Sequence, residues 1–318
     1  MPDPSAEADG TDPGTIVSIV KKSRLTRLIP AALILLSATA AVSAGIRRRE
    51  APNQLQPTRT ARPDNLPLQR SKSLPAKFTN QYRMEFVLIP EGKFTMGSAA
   101  GADMEKPAHS VTIGQPFYIG RYEVTQWQWR AVMGTTVDDQ RRKIRDGSIL
   151  VARPMAGEGD DRPAYYVSWQ EAHVFLQRLN ALNDGHTYRL PAEAEWEYVC
   201  RAGATEDRPA ELNLVAQYKN NANNYVQPVG MRRPNAFQIY DLIGNVWEWC
   251  EDVFHLSYEG APADASSWLT NDELSQRVKR GGSFFTKNFD YLRCAARAGQ
   301  SVEERDVETG FRVVATVK

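Results

Sequence analysis

Apolar and polar positions change character three times along the chain. Residues 1–27 open with Asp, Gly and Pro, continue to Lys21, Lys22, Arg24 and Arg27, and show no apolar period. They predict a disordered, basic, cytoplasmic N-terminus. Residues 28–46 form an apolar run near the length of one membrane span, broken only by Pro30, Ser37, Thr39, Ser43 and Gly45. Residues 47–81 return to Pro, Arg, Gln and Ser and read as a linker. From residue 82 to 318 the pattern is that of a folded domain. There, Phe-Val-Leu-Ile at 86–89 and the alternating Lys-Phe-Thr-Met at 93–96 flank Pro90-Glu91-Gly92 and predict a hairpin. Residues 111–113 and 117–119 read as further strands. Three helices carry their own start and stop signals. Thr125 with Gln128 forms a capping box, and Gly134 ends that helix. Ser168 with Glu171 forms another, ahead of an apolar face of Ala172, Phe175, Leu176 and Leu179, and Asn183-Asp184-Gly185 stops it. The third starts at Pro191, carries Glu193 and Glu195 at its positive end, turns Trp196, Val199 and Cys200 to one side, and ends at Gly203. Short strands, few helices and long irregular stretches predict an α+β domain.

Composition adds little to this and excludes some functions. The chain has 318 residues, 42% apolar and 24% charged, enough for one large core. Its net charge of +1 points to no polyanion, and without a basic helix or an aromatic–basic repeat no nucleic-acid partner is expected. The basic residues before the run at 28–46 and the small residues Val42-Ser43-Ala44 leave two readings: a membrane anchor, or a signal peptide cut after Ala44. Arg47, Arg48 and Arg49 weaken the charge asymmetry. Either way, the C-terminal part is expected to be anchored to the membrane or secreted into the periplasmic, extracytoplasmic space.

Two segments concentrate the candidate chemistry: residues 240–249, Tyr-Asp-Leu-Ile-Gly-Asn-Val-Trp-Glu-Trp, and residues 280–283, Arg-Gly-Gly-Ser. Trp247 and Trp249 point to one side of an extended segment. Asp241 and Glu248, with the carbonyls of Gly244 and Val246, gather the oxygen ligands that a hard cation such as Ca²⁺ takes. The plainer alternative is that Asp241 caps a turn and Glu248 pairs with an arginine. Gly281 and Gly282 allow a close backbone approach before Ser283. The three cysteines, Cys200, Cys250 and Cys294, form no Cys-x-x-Cys motif. His109, His173, His186 and His255 are scattered; His173 reads as exposed on its helix, with no metal partner one turn on.

In order along the chain stand Phe-Thr-Met-Gly at 94–97, Glu-Lys-Pro-Ala-His at 105–109, Tyr-Ile-Gly-Arg-Tyr-Glu-Val-Thr at 118–125 and Val-Ser-Trp at 167–169. Then come Tyr-Arg-Leu-Pro-Ala-Glu-Ala-Glu-Trp-Glu-Tyr at 188–198, Gly-Asn-Val-Trp-Glu-Trp at 244–249, Arg-Gly-Gly-Ser at 280–283, Arg-Cys-Ala-Ala-Arg at 293–297 and Gly-Phe-Arg at 310–312. Taken together they resemble the formylglycine-generating enzyme family, also called sulfatase-modifying factors. The resemblance implies a complex, loop-rich C-type-lectin-like fold. It implies a structural Ca²⁺ at Asp241, Gly244, Val246 and Glu248, and a Cys200–Cys294 disulfide, which leaves Cys250 as a packed thiol. It also implies where copper chemistry would sit. The family's oxidases place a cysteine three residues after the Ser of Gly-Gly-Ser and a second five residues later, and the two thiolates bind Cu(I). Here Thr286 holds the first position and the second has no cysteine, so copper is not expected.

What remains is a ligand groove of Trp247, Ser283, Thr286 and Asn288. The reading that follows is an exported family member without the oxidase activity, binding an envelope protein or peptide partner in maturation or regulation. Two alternatives stand beside it: an oxidase that converts a substrate cysteine to formylglycine, and a calcium-stabilised lectin-like carbohydrate binder.

Overall fold

The computed structural model describes residues 74–144, 155–269 and 276–317. The expected disordered N-terminus and the apolar run at 28–46 lie outside them. Among the described residues no helix is long and apolar enough to cross a membrane. Residues 69–318 form one compact unit.

In chain order the elements are β1 (Lys77–Thr79), β2 (Glu85–Ile89), β3 (Gly92–Met96), β4 (His109–Ile113), β5 (Phe117–Gly120), α1 (Gln126–Met133), α2 (Val137–Arg142) and α3 (Trp169–Asn180). They continue with β6 (His186–Arg189), α4 (Glu193–Arg201), α5 (Leu212–Val215), β7 (Trp247–Val253), β8 (Arg277–Arg280), β9 (Arg297–Gln300), β10 (Thr309–Gly310) and β11 (Val314–Val317). Strands β1-β2-β5-β11-β6 make one antiparallel sheet. Strands β10-β7-β8-β9 make a second, with β10 parallel to β7, and β3 and β4 form a separate ribbon. The mixture of helices and strands is the expected α+β class.

Two of the three expected helices form as their caps predict. Thr125 and Ser168 each accept from the backbone N–H three residues on, and Gln128 and Glu171 reach back to close the box. Ala172, Phe175, Leu176 and Leu179 are all buried, and the Phe175 ring stacks on Trp129 of α1 at 5.8 Å. The third helix, α4, starts two residues after Pro191 and ends through left-handed Ala202 and Gly203. Every residue of α4 is buried, including Glu193, Glu195, Glu197 and Arg201, so it runs through the core rather than showing one apolar face.

The expected hairpin does not form. The two strands exist, but β2 pairs with β1 and β5 while β3 pairs with β4. Pro90 fixes φ near −65°, whereas tight hairpin turns need positive φ. Both edges of β2 are also already taken. The chain instead crosses over α4, where Gly92 passes so close to Tyr198 that a Cβ would sit 2.4 Å from its hydroxyl. Strand β1 falls inside the stretch that reads as linker. Its three residues, Lys-Phe-Thr, are too short a run to stand out as a strand, and its anchor is Phe78, stacked on Phe86 at 4.7 Å and on His186 at 4.1 Å.

Candidate functional site

Strand β8 ends at Arg280, and Gly281 and Gly282 turn the chain with φ of 97° and 76°. A Cβ on Gly281 would lie 2.7 Å from the Leu242 carbonyl, so this approach of the two signature loops requires glycine. Ser283 follows, fully buried. Its Oγ donates to the Glu308 carboxylate at 2.7 Å, and its N–H donates to Thr286 Oγ1 at 2.9 Å. Thr286 is buried as well, with its hydroxyl 3.3 Å from that of Ser283. Asn288 is exposed and caps a short 3-10 turn, Phe289–Tyr291. Tyr291 stands edge-on to Trp247 at 5.8 Å. Phe289 and Tyr291 are both 43% exposed, an unusual display for large aromatic residues. The structure thus divides the predicted groove into two levels. Ser283, Thr286 and most of Trp247 form a closed floor, and Asn288, Phe289 and Tyr291 form an open rim.

The second cluster lies in the loop before β7. Gly244 has a φ of 84°, and a Cβ there would meet the Gln217 carbonyl at 2.0 Å. The flanking Asp241 and Asn245 also take positive φ. This places Asp241, Glu248 and Glu123 in one buried group with a single buried guanidinium, Arg312. Glu248 accepts from Arg312 Nε and Nη2 at 2.5 Å each and from Trp196 Nε1 at 2.6 Å. Asp241 Oδ2 accepts from the Gly230 N–H at 2.6 Å, while its Oδ1 is buried with no hydrogen-bond partner. Burial pushes the Asp241 carboxyl up to about 6, and the neighbouring Glu248 adds to the rise. Burial, then Asp241 and Glu248, push Glu123 well above the ordinary carboxylate range, although Asn245 donates to it at 2.8 Å. Were all three ionised, only Arg312 and the half-buried Arg232 would oppose them, and the raised carboxyls relieve that excess by holding protons.

The third group is the framework behind the groove. Arg280, wholly buried, donates to Glu193 at 3.1 Å, to Glu197 at 2.5 Å and to the carbonyls of Cys294 and Ala295. Arg297 holds Glu193 with two bonds at 2.7 Å, and Arg201 pairs with Glu197 at 2.8 Å. Cys200 of α4 is disulfide-bonded to Cys294, with Cα atoms 5.6 Å apart. Cys250 is a free, fully buried thiol, and burial raises its pKa well above the usual value. His173 is not exposed as its helix position suggests. It lies over Trp169 at 3.9 Å and 3.0 Å from the Glu251 carboxylate.

The Sulfatase-modifying factor enzyme 1-like domain matches residues 71–317. The chain belongs to the sulfatase-modifying factor family. The formylglycine-generating enzyme of Streptomyces coelicolor is 28% identical over 285 residues, covering 71% of this chain and 87% of that one. The serine/threonine-protein kinase pkn1 of Chlamydia caviae is 28% identical over 249 residues, which cover 74% of this chain but 38% of that protein. Among solved structures, PvdO from Pseudomonas aeruginosa aligns with a TM-score of 0.66 and 29% identity, covering 76% of this chain and 98% of PvdO. An almost complete PvdO chain therefore aligns with 76% of this chain.

Against the family's chemistry the two metals fare differently. A Cu(I) thiolate pair does not fit the residues present. Thr286 offers a hydroxyl already bonded to Ser283, Cys294 is bridged, and Cys250 is sealed in the core. A calcium ion fits in part. Asp241 offers a buried carboxylate oxygen without a partner, while both Glu248 oxygens already accept from Arg312 and Trp196. Among the described residues no three His, Cys, Asp or Glu side chains converge on a metal position; the expected site needs only two carboxylates, with carbonyls completing the shell. Sequence reasoning missed Glu123, Arg312, Glu308 and Tyr291. The charged Glu123 and Arg312 stand in otherwise apolar surroundings, a signal of buried pairing that names no partner.

Proposed function

We propose that this family member lacks the copper oxidase activity and acts as a binding or accessory protein in the cell envelope. The observation that carries the reading is the state of the thiols. The chain has three cysteines; two form a disulfide and the third is a buried core thiol. No thiol pair is left to hold Cu(I), and a hydroxyl at Thr286 is too hard a ligand to replace one. The family relatives fit a domain whose use is not tied to one reaction, since the names they carry range from formylglycine-generating enzymes to a kinase and PvdO.

The binding surface of this proposal is the aromatic rim of Phe289 and Tyr291 over Trp247, beside Asn288. An extended peptide would stack on the rings and hydrogen-bond along the loop. An envelope address is favoured by the disulfide, which persists in oxidising compartments, and by the basic-then-apolar sequence ending at residue 46. Calcium, if it binds, would do so at Asp241, and would act by offsetting the charge excess that the Glu123–Asp241–Glu248 group carries when ionised rather than in catalysis.

The test is to incubate residues 69–318 with Cu(I), oxygen and a sulfatase-type cysteine peptide and to follow the peptide by mass spectrometry. The peptide is expected to remain unchanged. Its conversion to an aldehyde would overturn the reading. Protease protection of the C-terminal unit in intact cells, with digestion only after the outer barrier is opened, tests the envelope address.

A further inference from the structure

A cavity of about 340 Å³ is lined in part by the Cys200–Cys294 disulfide and borders the groove loop through Arg208, within the ~300–1,000 Å³ range of small-molecule sites. Ala204, Pro209, Val215, Ile239, Leu242 and Ile243 make its walls apolar, and the Cys200–Cys294 bridge forms part of the lining. The adjoining cavity of about 490 Å³ is different. Its Arg293 is taken by Glu105 and Asp207, and its Arg297 by Glu193. In the apolar cavity the charges sort by depth. Asp241 is 3% exposed, with its carboxylate held by the Gly230 N–H beside Glu248 and Arg312, Arg201 is neutralised by Glu197, and Arg208, Arg233 and Glu206 are exposed at the mouth. Among the described residues, Arg208 contacts the Phe289 carbonyl and approaches Asp290 at 3.5 Å, both exposed contacts that a ligand can replace.

The geometry points to this cavity as a binding site for a single-chain amphiphile with an anionic head, of the fatty-acid type. The chain fills the apolar interior and gains the free energy of leaving water. The carboxylate stays at the mouth between Arg208 and Arg233, where charge-assisted hydrogen bonds hold it. Burying a carboxylate against the apolar walls is costly, which fixes the tail-first orientation. A cationic amphiphile meets two arginines at the mouth against the single Glu206 and is disfavoured. The site adjoins the groove rim through the Arg208–Phe289 contact, but its binding does not depend on whether any oxidation survives there. It also has a built-in reporter, because an occupied cavity covers the disulfide.

The experiment titrates residues 69–318 with dodecanoate below its micelle concentration, by calorimetry, with dodecyltrimethylammonium and anionic phospholipid vesicles as the other two probes. Dodecanoate is expected to bind saturably, one per chain, and to slow reduction of the disulfide by a phosphine several-fold. Val215→Trp, which fills the cavity from its half-buried edge, abolishes both effects while circular dichroism stays native. The exposed double substitution Arg208→Ala, Arg233→Ala weakens binding by about tenfold or more, as loss of charge-assisted contacts demands. The inference is overturned by a folded protein that shows no saturable dodecanoate binding, by equal affinity for the cationic probe, by binding that survives Val215→Trp, or by capture on vesicles without binding of the monomer.

Discussion

The framework behind the groove and the loop that forms the groove are neighbours in the chain, yet they are built on opposite terms. In the framework, Arg280, Arg297 and Arg201 face Glu193 and Glu197 inside the core, and nearly every polar atom is matched. In the loop from Ser283 to Tyr291, the Thr286 hydroxyl stands where family chemistry would need a thiol, and aromatic rings are left in solvent. The family's strings are retained where they close a buried charge network. At Thr286 the chain carries a hydroxyl instead of a thiol. Removing a member of a buried network strands a charge and costs several kcal/mol, whereas changing a surface loop costs a few tenths. Stability therefore holds the first region in place, and only function would hold the second.

The largest expected effect comes from breaking the framework. Arg280→Met leaves Glu193 and Glu197 without their shared cation, and urea denaturation should show a loss of about 3–5 kcal/mol. Asn288→Ala on the rim should cost no more than about 1 kcal/mol. Comparable losses for the two would erase the distinction. Next is the disulfide, which closes a loop with a sequence separation of 94. Cys294→Ala should lower stability by about 2–4 kcal/mol in the oxidised protein and leave a reduced sample unaffected.

The loop before β7 sharpens the contrast, since there the carboxyls outnumber the cations that oppose them. If Ca²⁺ settles that excess, a concentration near 100 times its Kd raises stability by about 2.7 kcal/mol. Asp241→Ala should remove the calcium-dependent rise in melting temperature, and a rise that persists would place the ion elsewhere. A last effect concerns Asp252. Burial and then Glu193 raise its carboxyl to about 7, although it accepts from the N–H groups of Glu193 and Trp268. A folded pKa above the unfolded value of about 3.9 means that the folded state holds the proton more tightly. This contribution is complete below about pH 4 and is lost as the pH rises through about 7. Stability should therefore decline more steeply over that window in the wild type than in Asp252→Asn. Equal slopes would assign the pH dependence to other groups.

The same division governs what could be read from the chain. Thr125–Gln128 and Ser168–Glu171 were legible because a capping box is a local rule, satisfied within four residues. The face of α3 was legible from its spacing alone. The partners of Glu123 and Arg312 were not, because they are set by loops that meet from distant parts of the chain: Asn245 reaches Glu123 across 122 positions and Arg312 reaches Glu248 across 64. The false hairpin has the same cause, since its two strands chose partners in different sheets. At the groove, residue identities were sufficient to reject thiolate chemistry at Thr286. They gave no sign that Ser283 and Thr286 would face each other in a closed floor.

The central claim is that this domain keeps the family's architecture without its copper site. The most direct measurement is a competition titration of residues 69–318 with Cu(I) against a chromophoric chelator under reducing-metal, disulfide-intact conditions. The account predicts that the folded protein withdraws no copper from the chelator. Tight stoichiometric uptake, lost on substitution at Thr286 or the residues around it, would contradict it.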